Sequence, residues 1–175
     1  MKQIGDWNDV YKVTGSTVGK DLSGFPTHEW RRKMMVALHS PIRVIRFRWT
    51  WIELPYFVSV HLVRHNVGTL HFVSTQRSDR TNIDRLERRQ TDPVMHTMEA
   101  NAESIINISR KRLCSQASEE TKEAWEKVVE QLPEWLSCRC VPECLYRGFC
   151  PETFIPCGYD KTEVFEKELK VYRGL

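Results

Sequence analysis

The sequence lacks any apolar run of membrane length, and residues 1–15 show no signal-peptide pattern. It also lacks a strong charge excess, because its formal net charge is only +3 at pH 7, and it contains no nucleic-acid-binding motif. We therefore expect no membrane anchor and no general nucleic-acid binding, and we predict a cytoplasmic protein. A small positive charge suits a protein that binds polyanionic ligands through locally clustered basic residues.

With 175 residues, 41% of them hydrophobic and 28% charged, the chain is long enough for one domain with its own core. The composition changes after residue 132, where cysteines become frequent. We predict a main domain over residues 1–132 and a Cys-rich extension over residues 133–175 that packs on the same domain.

Five of the six cysteines fall within twenty residues, at Cys138, Cys140, Cys144, Cys150 and Cys157. Their spacing is not a paired CxxC framework, and no histidine lies nearby. Two interpretations remain open, a structural zinc site or buried thiols that pack an irregular C-terminal lobe. The spacing favours the buried thiols, and we predict no disulfide framework in a cytoplasmic chain.

The hydrophobic pattern predicts an α/β (α+β) protein. Strands are expected at 10–14 and 43–52. Helices are expected from Pro26–Thr27 to His39, from Pro55 to Val63, and over 94–113 and 118–132, followed by a short amphipathic element at 162–172. In the strand at 43–52, large apolar residues alternate with Arg46, Arg48 and Thr50. The face with Arg43, Arg46 and Arg48 is too cationic to be buried unless anions or a partner subunit cover it.

The helix after Pro55 ends in the cluster Arg64-His65-Asn66, followed by Gly68 and a polar loop with Ser74, Gln76 and Arg77. Arginine suits phosphate oxygens, and serine and backbone N–H groups complete such a site. Two interpretations are open, an anion-binding site or a core helix with a solvated basic end.

The spacing Arg64-His65-Asn66, seven residues, Ser74 resembles the signature of the flavin-dependent thymidylate synthases, which is Arg-His-Arg, seven residues, Ser. The run that leads into it, ELPYFVSVHLVRH, is also similar to the helix that precedes this signature. The resemblance implies formation of dTMP from dUMP with FAD, methylenetetrahydrofolate and NADPH. It also implies an antiparallel sheet flanked by helices, and a homotetramer whose active sites lie at subunit interfaces.

A second stretch strengthens the resemblance. Asn101-Ala102-Glu103-Ser104, with Asn107, Arg112, Ala117 and Glu120, resembles the family pattern Asn-Ala-Arg-Ser, Asn or His, Arg, and Ala-Gln-x-Glu. The likeness implies that Arg112 contacts the pyrimidine and favours its ionised N3 by direct charge stabilisation.

The resemblance assigns roles residue by residue. It implies flavin binding by Ser16, Ser40, Arg64, His65, Asn66, Asn101, Glu103 and Asn107. It implies dUMP binding by His61, Arg64, Ser74, Gln76 or Arg77, and Arg112. Ser74 is assigned to phosphate binding, because no His–Asp pair is placed to activate it as a nucleophile.

The chain departs from the family at four positions. Asn66 and Glu103 replace arginines, Gln76 stands where a phosphate-binding arginine is usual, and Phe72 replaces a glutamate. Fewer cations and one more carboxylate weaken the expected attraction for a diphosphate. Two alternatives therefore stay open. One is another flavin-dependent transfer to C5, such as hydroxymethylation; the other is a non-catalytic relative that binds a nucleotide or a protein partner.

Overall fold

The computed structural model describes residues 1–174 and contains a four-stranded antiparallel sheet. The strands are β1 (Lys2–Ile4), β2 (Arg46–Pro55), β3 (Thr69–Val73) and β4 (Pro93–Asn101), in the spatial order β1-β2-β4-β3. The main helices are α1 (Trp7–Val18), α2 (His28–Ala37), α3 (Tyr56–Val63), α5 (Ala102–Arg112), α6 (Glu119–Val129) and α9 (Glu163–Gly174). Short helices are α4 (Ser78–Thr81), α7 (Glu134–Ser137) and α8 (Glu143–Arg147). The predicted fold class is confirmed.

The core lies between the helices and one face of the sheet. Phe47 of β2 and Met98 of β4 are almost completely buried there, beneath Ile105 of α5 and Trp125 of α6. The indole Nε1 of Trp125 donates to the Ser109 hydroxyl at 2.9 Å, which ties α6 to α5. No helix within residues 1–174 is long and apolar enough to cross a membrane.

Two predicted elements are wrong. The predicted strand at 10–14 lies inside α1, which Asp6 starts with a capping box and Gly19 ends in a left-handed conformation. The predicted helix at 94–113 is two elements, because β4 runs directly into α5 at Asn101. The strand β3, in the stretch treated as a polar loop, was not predicted.

The other predicted elements are present with shifted ends. The helix expected from Pro26–Thr27 is α2, and Thr27 caps it by accepting from the Trp30 N–H. The strand expected at 43–52 begins only at Arg46, and Arg43 belongs instead to a 3-10 turn at Ser40–Val44. The helices expected at 118–132 and 162–172 are α6 and α9.

The cationic face of β2 is neutralised within the chain. Glu99 of β4 stands opposite Arg48 and accepts hydrogen bonds from both Arg46 and Arg48. Burial raises the pKa of this carboxyl, but the two guanidinium hydrogen bonds outweigh burial, so the pKa is lowered overall. Thus the anion that covers Arg46 and Arg48 is a side chain of the same protomer.

The C-terminal part contributes to two apolar clusters. Leu132, Leu136 and Cys140 belong to the main core. A smaller cluster of Cys144, Leu145 and Phe165 joins α8 to α9, and α8 also packs on α5.

Candidate functional site

A cleft of about 390 Å³ lies where the end of α3 meets the beginning of α5. We call it the signature cleft; it is lined by Arg43, Arg64, His65, Asn66, Val67, Gly68, Asn101, Glu103, Ser104, Asn107 and Ile108. Six residues that the sequence analysis assigned to flavin line this one cleft, namely Arg64, His65, Asn66, Asn101, Glu103 and Asn107. Residues far apart in the sequence are therefore brought together by the fold.

The loop that forms one wall is fastened to the first turn of α5. The Asn101 N–H donates to the Gly68 carbonyl at 3.1 Å, and the Ser104 hydroxyl donates to the Val67 carbonyl at 2.8 Å. Gly68 has a φ of +70°, and a Cβ there would lie 2.3 Å from both Asn101 Nδ2 and Ser104 Oγ. Both atoms belong to side chains that are held by hydrogen bonds of this wall, so a larger residue at position 68 would have to displace them.

The first turn of α5 forms the opposite wall. Asn101 is the N-cap, and its side-chain oxygen accepts from the Ser104 N–H at 2.8 Å. Glu103 reaches across the cleft to the 3-10 turn, where its carboxylate accepts hydrogen bonds from Nε and Nη2 of Arg43. The extra carboxylate noted in the sequence is therefore paired with a cation that the sequence analysis did not assign to the site.

Arg112 connects α5 to α3 behind the cleft. Its Nε donates to His65 Nε2 at 2.9 Å, and its Nη2 donates to the His61 carbonyl. His65 Nε2 must be unprotonated to accept, so the neutral ring carries its proton on Nδ1. Burial, with the charges of Arg112 and then of His71, lowers the pKa of His65 to about 4. At neutral pH His65 is therefore an uncharged ring held in one tautomer.

Two further histidines, His71 and His96, are hydrogen-bonded in series to the His65 carbonyl. His71 Nε2 donates to the His65 carbonyl at 2.8 Å, and His71 Nδ1 accepts from His96 Nε2 at 3.0 Å. His96 is fully buried, and burial followed by the charge of His71 lowers its pKa to about 4. Its Nδ1 makes no hydrogen bond with any described residue. These hydrogen bonds link His65 at the signature cleft to the centre of β4.

The positive charges of Arg64 and Arg112 lower the pKa values of neighbouring basic groups near the end of α3. The pKa of Arg112 is lowered by burial and by the charge of Arg64. The pKa of His61 is lowered by burial and then by Arg112 and Arg64, and its Nδ1 is hydrogen-bonded to the Thr121 hydroxyl at 2.8 Å. Two neighbouring guanidinium groups beside a neutral imidazole form a site that attracts anions.

Three predicted dUMP residues lie elsewhere. Ser74 follows β3 and is tied to the β4 edge, since its N–H donates to the Met95 carbonyl and its Oγ accepts from the Met95 N–H. Arg77 pairs with Asp79 on the surface, and the Nε2 of Gln76 is buried without a hydrogen bond to the described residues. The strand β3, about 17 Å long at roughly 3.4 Å per residue, lies between this group and the loop that follows Arg64.

Two predicted flavin residues are also outside the signature cleft. Ser16 is exposed on α1, where its hydroxyl lies 3.5 Å from the Lys12 carbonyl. Ser40 is exposed at the start of the 3-10 turn. Within residues 1–174 neither contributes to the cleft that holds the other six.

A larger cleft of about 1150 Å³ lies between the end of α5 and the C-terminal lobe. Cys114, Cys144, Cys150 and Cys157 line it, whereas Cys138 and Cys140 do not. No group of three or more His, Cys, Asp or Glu side chains in the described part of the chain is arranged to hold a metal ion. Burial raises the pKa of Cys140 to about 12 and that of Cys144 to about 11, as expected of packed thiols.

Three residues in or next to the site were not predicted from the sequence, namely Arg43, His71 and His96. Arg43 was placed on the strand β2, and the two histidines fell in stretches predicted to be loop and helix. One signal was available in the sequence, because the apolar Val94, Met98 and Ala100 share one parity while the polar Thr97 and Glu99 lie at the alternate positions, as in a half-buried strand.

The sequence matches no protein-family model and no curated protein sequence. The fold, however, is similar to that of solved structures. A flavin-dependent thymidylate synthase from Helicobacter pylori, complexed with FAD and dUMP, superposes with a TM-score of 0.64 at 11% identity, over 81% of this chain and 100% of that one. A second structure of the Helicobacter pylori enzyme, with FAD and dUMP, gives 0.63 at 10% identity, over 80% and 97% of the two chains.

A third similar structure is the UMP/dUMP methylase PolB from Streptomyces cacaoi, bound with 5-Br dUMP. It superposes with a TM-score of 0.60 at 13% identity, over 74% of this chain and 86% of that one. The chain therefore has the fold of the flavin-dependent thymidylate synthases.

Proposed function

We propose that this chain is a flavin-dependent enzyme that methylates dUMP at C5 to give dTMP, with methylenetetrahydrofolate as carbon donor and NADPH as reductant. The observation that carries the proposal is the signature cleft, where Arg64, His65 and Asn66 meet Asn101 and Asn107. Two structures with this fold are complexes with FAD and dUMP. FAD is accordingly the proposed cofactor.

The residues of the cleft suit a flavin dinucleotide. Arg43 and Arg64 offer charge for the diphosphate, and Asn66 and Asn107 offer amides for hydrogen bonds to a heterocycle. The N-terminus of the eleven-residue α5 favours negative charge at the same wall. Bound flavin would supply the hydride chemistry, while the chain's own residues bind and orient the reactants.

Arg112 is the residue proposed to act on the pyrimidine. Its hydrogen bonds to His65 and the His61 carbonyl hold the guanidinium in one orientation. A fixed cation beside an anionic ring nitrogen stabilises it without reorganisation. With Arg112, we propose His61, Arg64, Ser74 and Gln76 or Arg77 as dUMP-binding residues, and Ser16 and Ser40 as flavin contacts from another protomer.

The proposed assembly is a homotetramer. Ser16 and Ser40 lie outside the signature cleft, and Ser74 and Arg64 lie at opposite ends of β3. Both facts support an active site completed by a second protomer. We further propose that residues 133–175 form an extension of the same domain, through the contacts of Leu136 and Cys140 with the main core.

The test is a visible absorption spectrum of the purified protein, followed by titration with dUMP and, separately, UMP. We expect a flavin spectrum that shifts on addition of dUMP, and loss of that shift in Arg112→Ala. Arg64→Ala is expected to lose flavin, whereas Lys33→Ala, an exposed change on α2, keeps both signals. Absence of flavin after incubation with excess FAD would refute the proposal.

A further inference from the structure

Arg43 is held at the mouth of the signature cleft by buried backbone. Ile42 within its 3-10 turn and Ile45 directly after the turn are both fully buried, and the Ile45 carbonyl accepts a hydrogen bond from the Ala102 N–H at 2.9 Å. That hydrogen bond fixes the turn to the first residue of α5, one position before Glu103. The side chain therefore extends into the cleft from a rigid base.

The ion pair leaves part of the Arg43 guanidinium available. Glu103 accepts from Nε and Nη2, so both hydrogens of Nη1 remain free of that contact. The Arg43 side chain is 56% exposed, and that of Glu103 is 22% exposed. A ligand in the cleft can thus reach the outer edge of the guanidinium while Glu103 holds its inner edge.

The charge of the cleft depends on this arginine. His65 is neutral at pH 7, so the ionised lining groups are Arg43, Arg64 and Glu103. Without Arg43, the charges of the lining residues Arg64 and Glu103 would offset each other, and the attraction of the cleft for an anion would be weaker. With Arg43 present, the charge of the Glu103 carboxylate is neutralised, and the positive charge of Arg64 can attract an anion.

We propose that Arg43 binds a phosphate oxygen of the flavin dinucleotide through Nη1, with Glu103 as the positioning residue that orients it. This inference rests on the proposed flavin-dependent function and assigns a further cofactor-binding residue to its site. It also gives Glu103 a positioning role, whereas the sequence led us to expect that this carboxylate weakens the attraction for a diphosphate.

The experiment compares FAD with riboflavin, which has the same ring system but no phosphate. Arg43→Ala is expected to weaken FAD binding by about 10- to 100-fold, the loss typical of a charged hydrogen bond, with riboflavin affinity changed less than about twofold. Arg43→Lys should recover part of the loss. Arg46→Ala is the matched control, because Arg46 pairs with Glu99 outside the cleft.

The variant Glu103→Gln distinguishes two roles of Glu103, orientation of Arg43 and electrostatic repulsion of the cofactor phosphate. If Glu103 orients Arg43, the glutamine variant binds FAD more weakly and riboflavin equally well; tighter FAD binding would overturn the positioning role. Unchanged or tighter FAD binding by Arg43→Ala would overturn the role of Arg43 itself, since the ion pair would then merely close the cleft.

The two proposals fail in different ways. A wild-type protein that binds neither FAD nor riboflavin refutes the proposed function, and inorganic pyrophosphate then tests Arg43 by calorimetry. Pyrophosphate binding that is lost in Arg43→Ala supports the anion contact. No pyrophosphate binding by the wild type overturns it.

Discussion

Gly68 is the residue with the least freedom to change at the site. A methyl group there would overlap Asn101 and Ser104 and would force a φ of +70° on an alanine. We expect Gly68→Ala to lower the free energy of unfolding by about 3 kcal/mol, measured by urea denaturation. Gly19→Ala is the matched control, since Gly19 has a φ of +65° but open space around it. That variant should lose only about 1 kcal/mol; equal losses in the two would contradict the steric argument.

His96 makes stability depend on pH. Its folded pKa of about 4 is below the unfolded value near 6.5, so the unfolded state binds more protons between these limits. The stabilisation is therefore complete above pH 6.5 and is lost as the pH falls towards 4, by about 3 kcal/mol at most. Urea denaturation across this range should show a shallower slope for His96→Gln than for the wild type. His28→Gln, at an exposed histidine, is the control; a slope unchanged in His96→Gln would refute this origin.

At the residue scale, the sequence identified most of the residues that line the cleft, but not the Arg43–Glu103 ion pair that determines its charge. Arg64, His65, Asn101 and Asn107 were identified through the resemblance to the motifs of the flavin-dependent thymidylate synthases, and the fold brings them together. Arg43 was not found, because its partner Glu103 is sixty positions away in sequence and only the 3-10 turn directs the two together. Long-range ion pairs leave no periodic signal in a sequence.

At the scale of elements, Glu99 holds β2 and β4 together on their outer face. Its carboxylate is nearly buried and receives both Arg46 and Arg48. We expect Glu99→Ala to lower the free energy of unfolding by about 1–3 kcal/mol, because two arginines lose their counter-charge while remaining partly solvated. Thermal or urea denaturation measures this.

Glu123→Ala removes an exposed carboxylate from α6 and serves as the comparison. An effect of Glu99→Ala as small as that of Glu123→Ala would mean that water satisfies the two arginines. The effect should also shrink at acid pH, since the pKa of Glu99 is lowered in the folded state and its contribution disappears as the carboxyl is protonated.

The helices were predicted from sequence more reliably than the strands. α2 begins at the capping residue Thr27, α3 follows Pro55, and α6 shows helical periodicity, all of which are local properties of the sequence. β4 was mistaken for the beginning of α5, because the polar His96 stands on its buried face and the apolar Met95 on its exposed face, which interrupts the alternation. The burial of His96 is made tolerable by His71 and that of Glu99 by two arginines on β2, partners that a local pattern does not reveal.

At the scale of the whole molecule, the separation of Arg64 from Ser74 leads us to predict active sites that are shared between protomers. In a tetramer whose sites combine these groups from different protomers, Arg64→Ala and Ser74→Ala are each inactive alone. Random mixing of the two variants restores both intact groups at about a quarter of the sites. Activity of the refolded mixture, with each variant refolded separately as control, measures this recovery.

A mixture as inactive as its components would show that each site is built within one chain. Light scattering checks the assembly itself, with an expected mass near four times 20.7 kDa.

The direct passage from β4 into α5 has a consequence for how this protein tolerates changes of length. Asn101 ends the strand and caps the helix, with no spare residue between them. One residue inserted within Pro93–Asn101 would exchange the two faces of the strand after that point and displace the start of α5 by about 3.4 Å, the rise of one strand residue. Such an insertion would carry Glu103 and Asn107 out of the cleft without altering any amino acid that lines it. Insertion scanning should find this stretch intolerant, and residues 19–26 before α2 permissive.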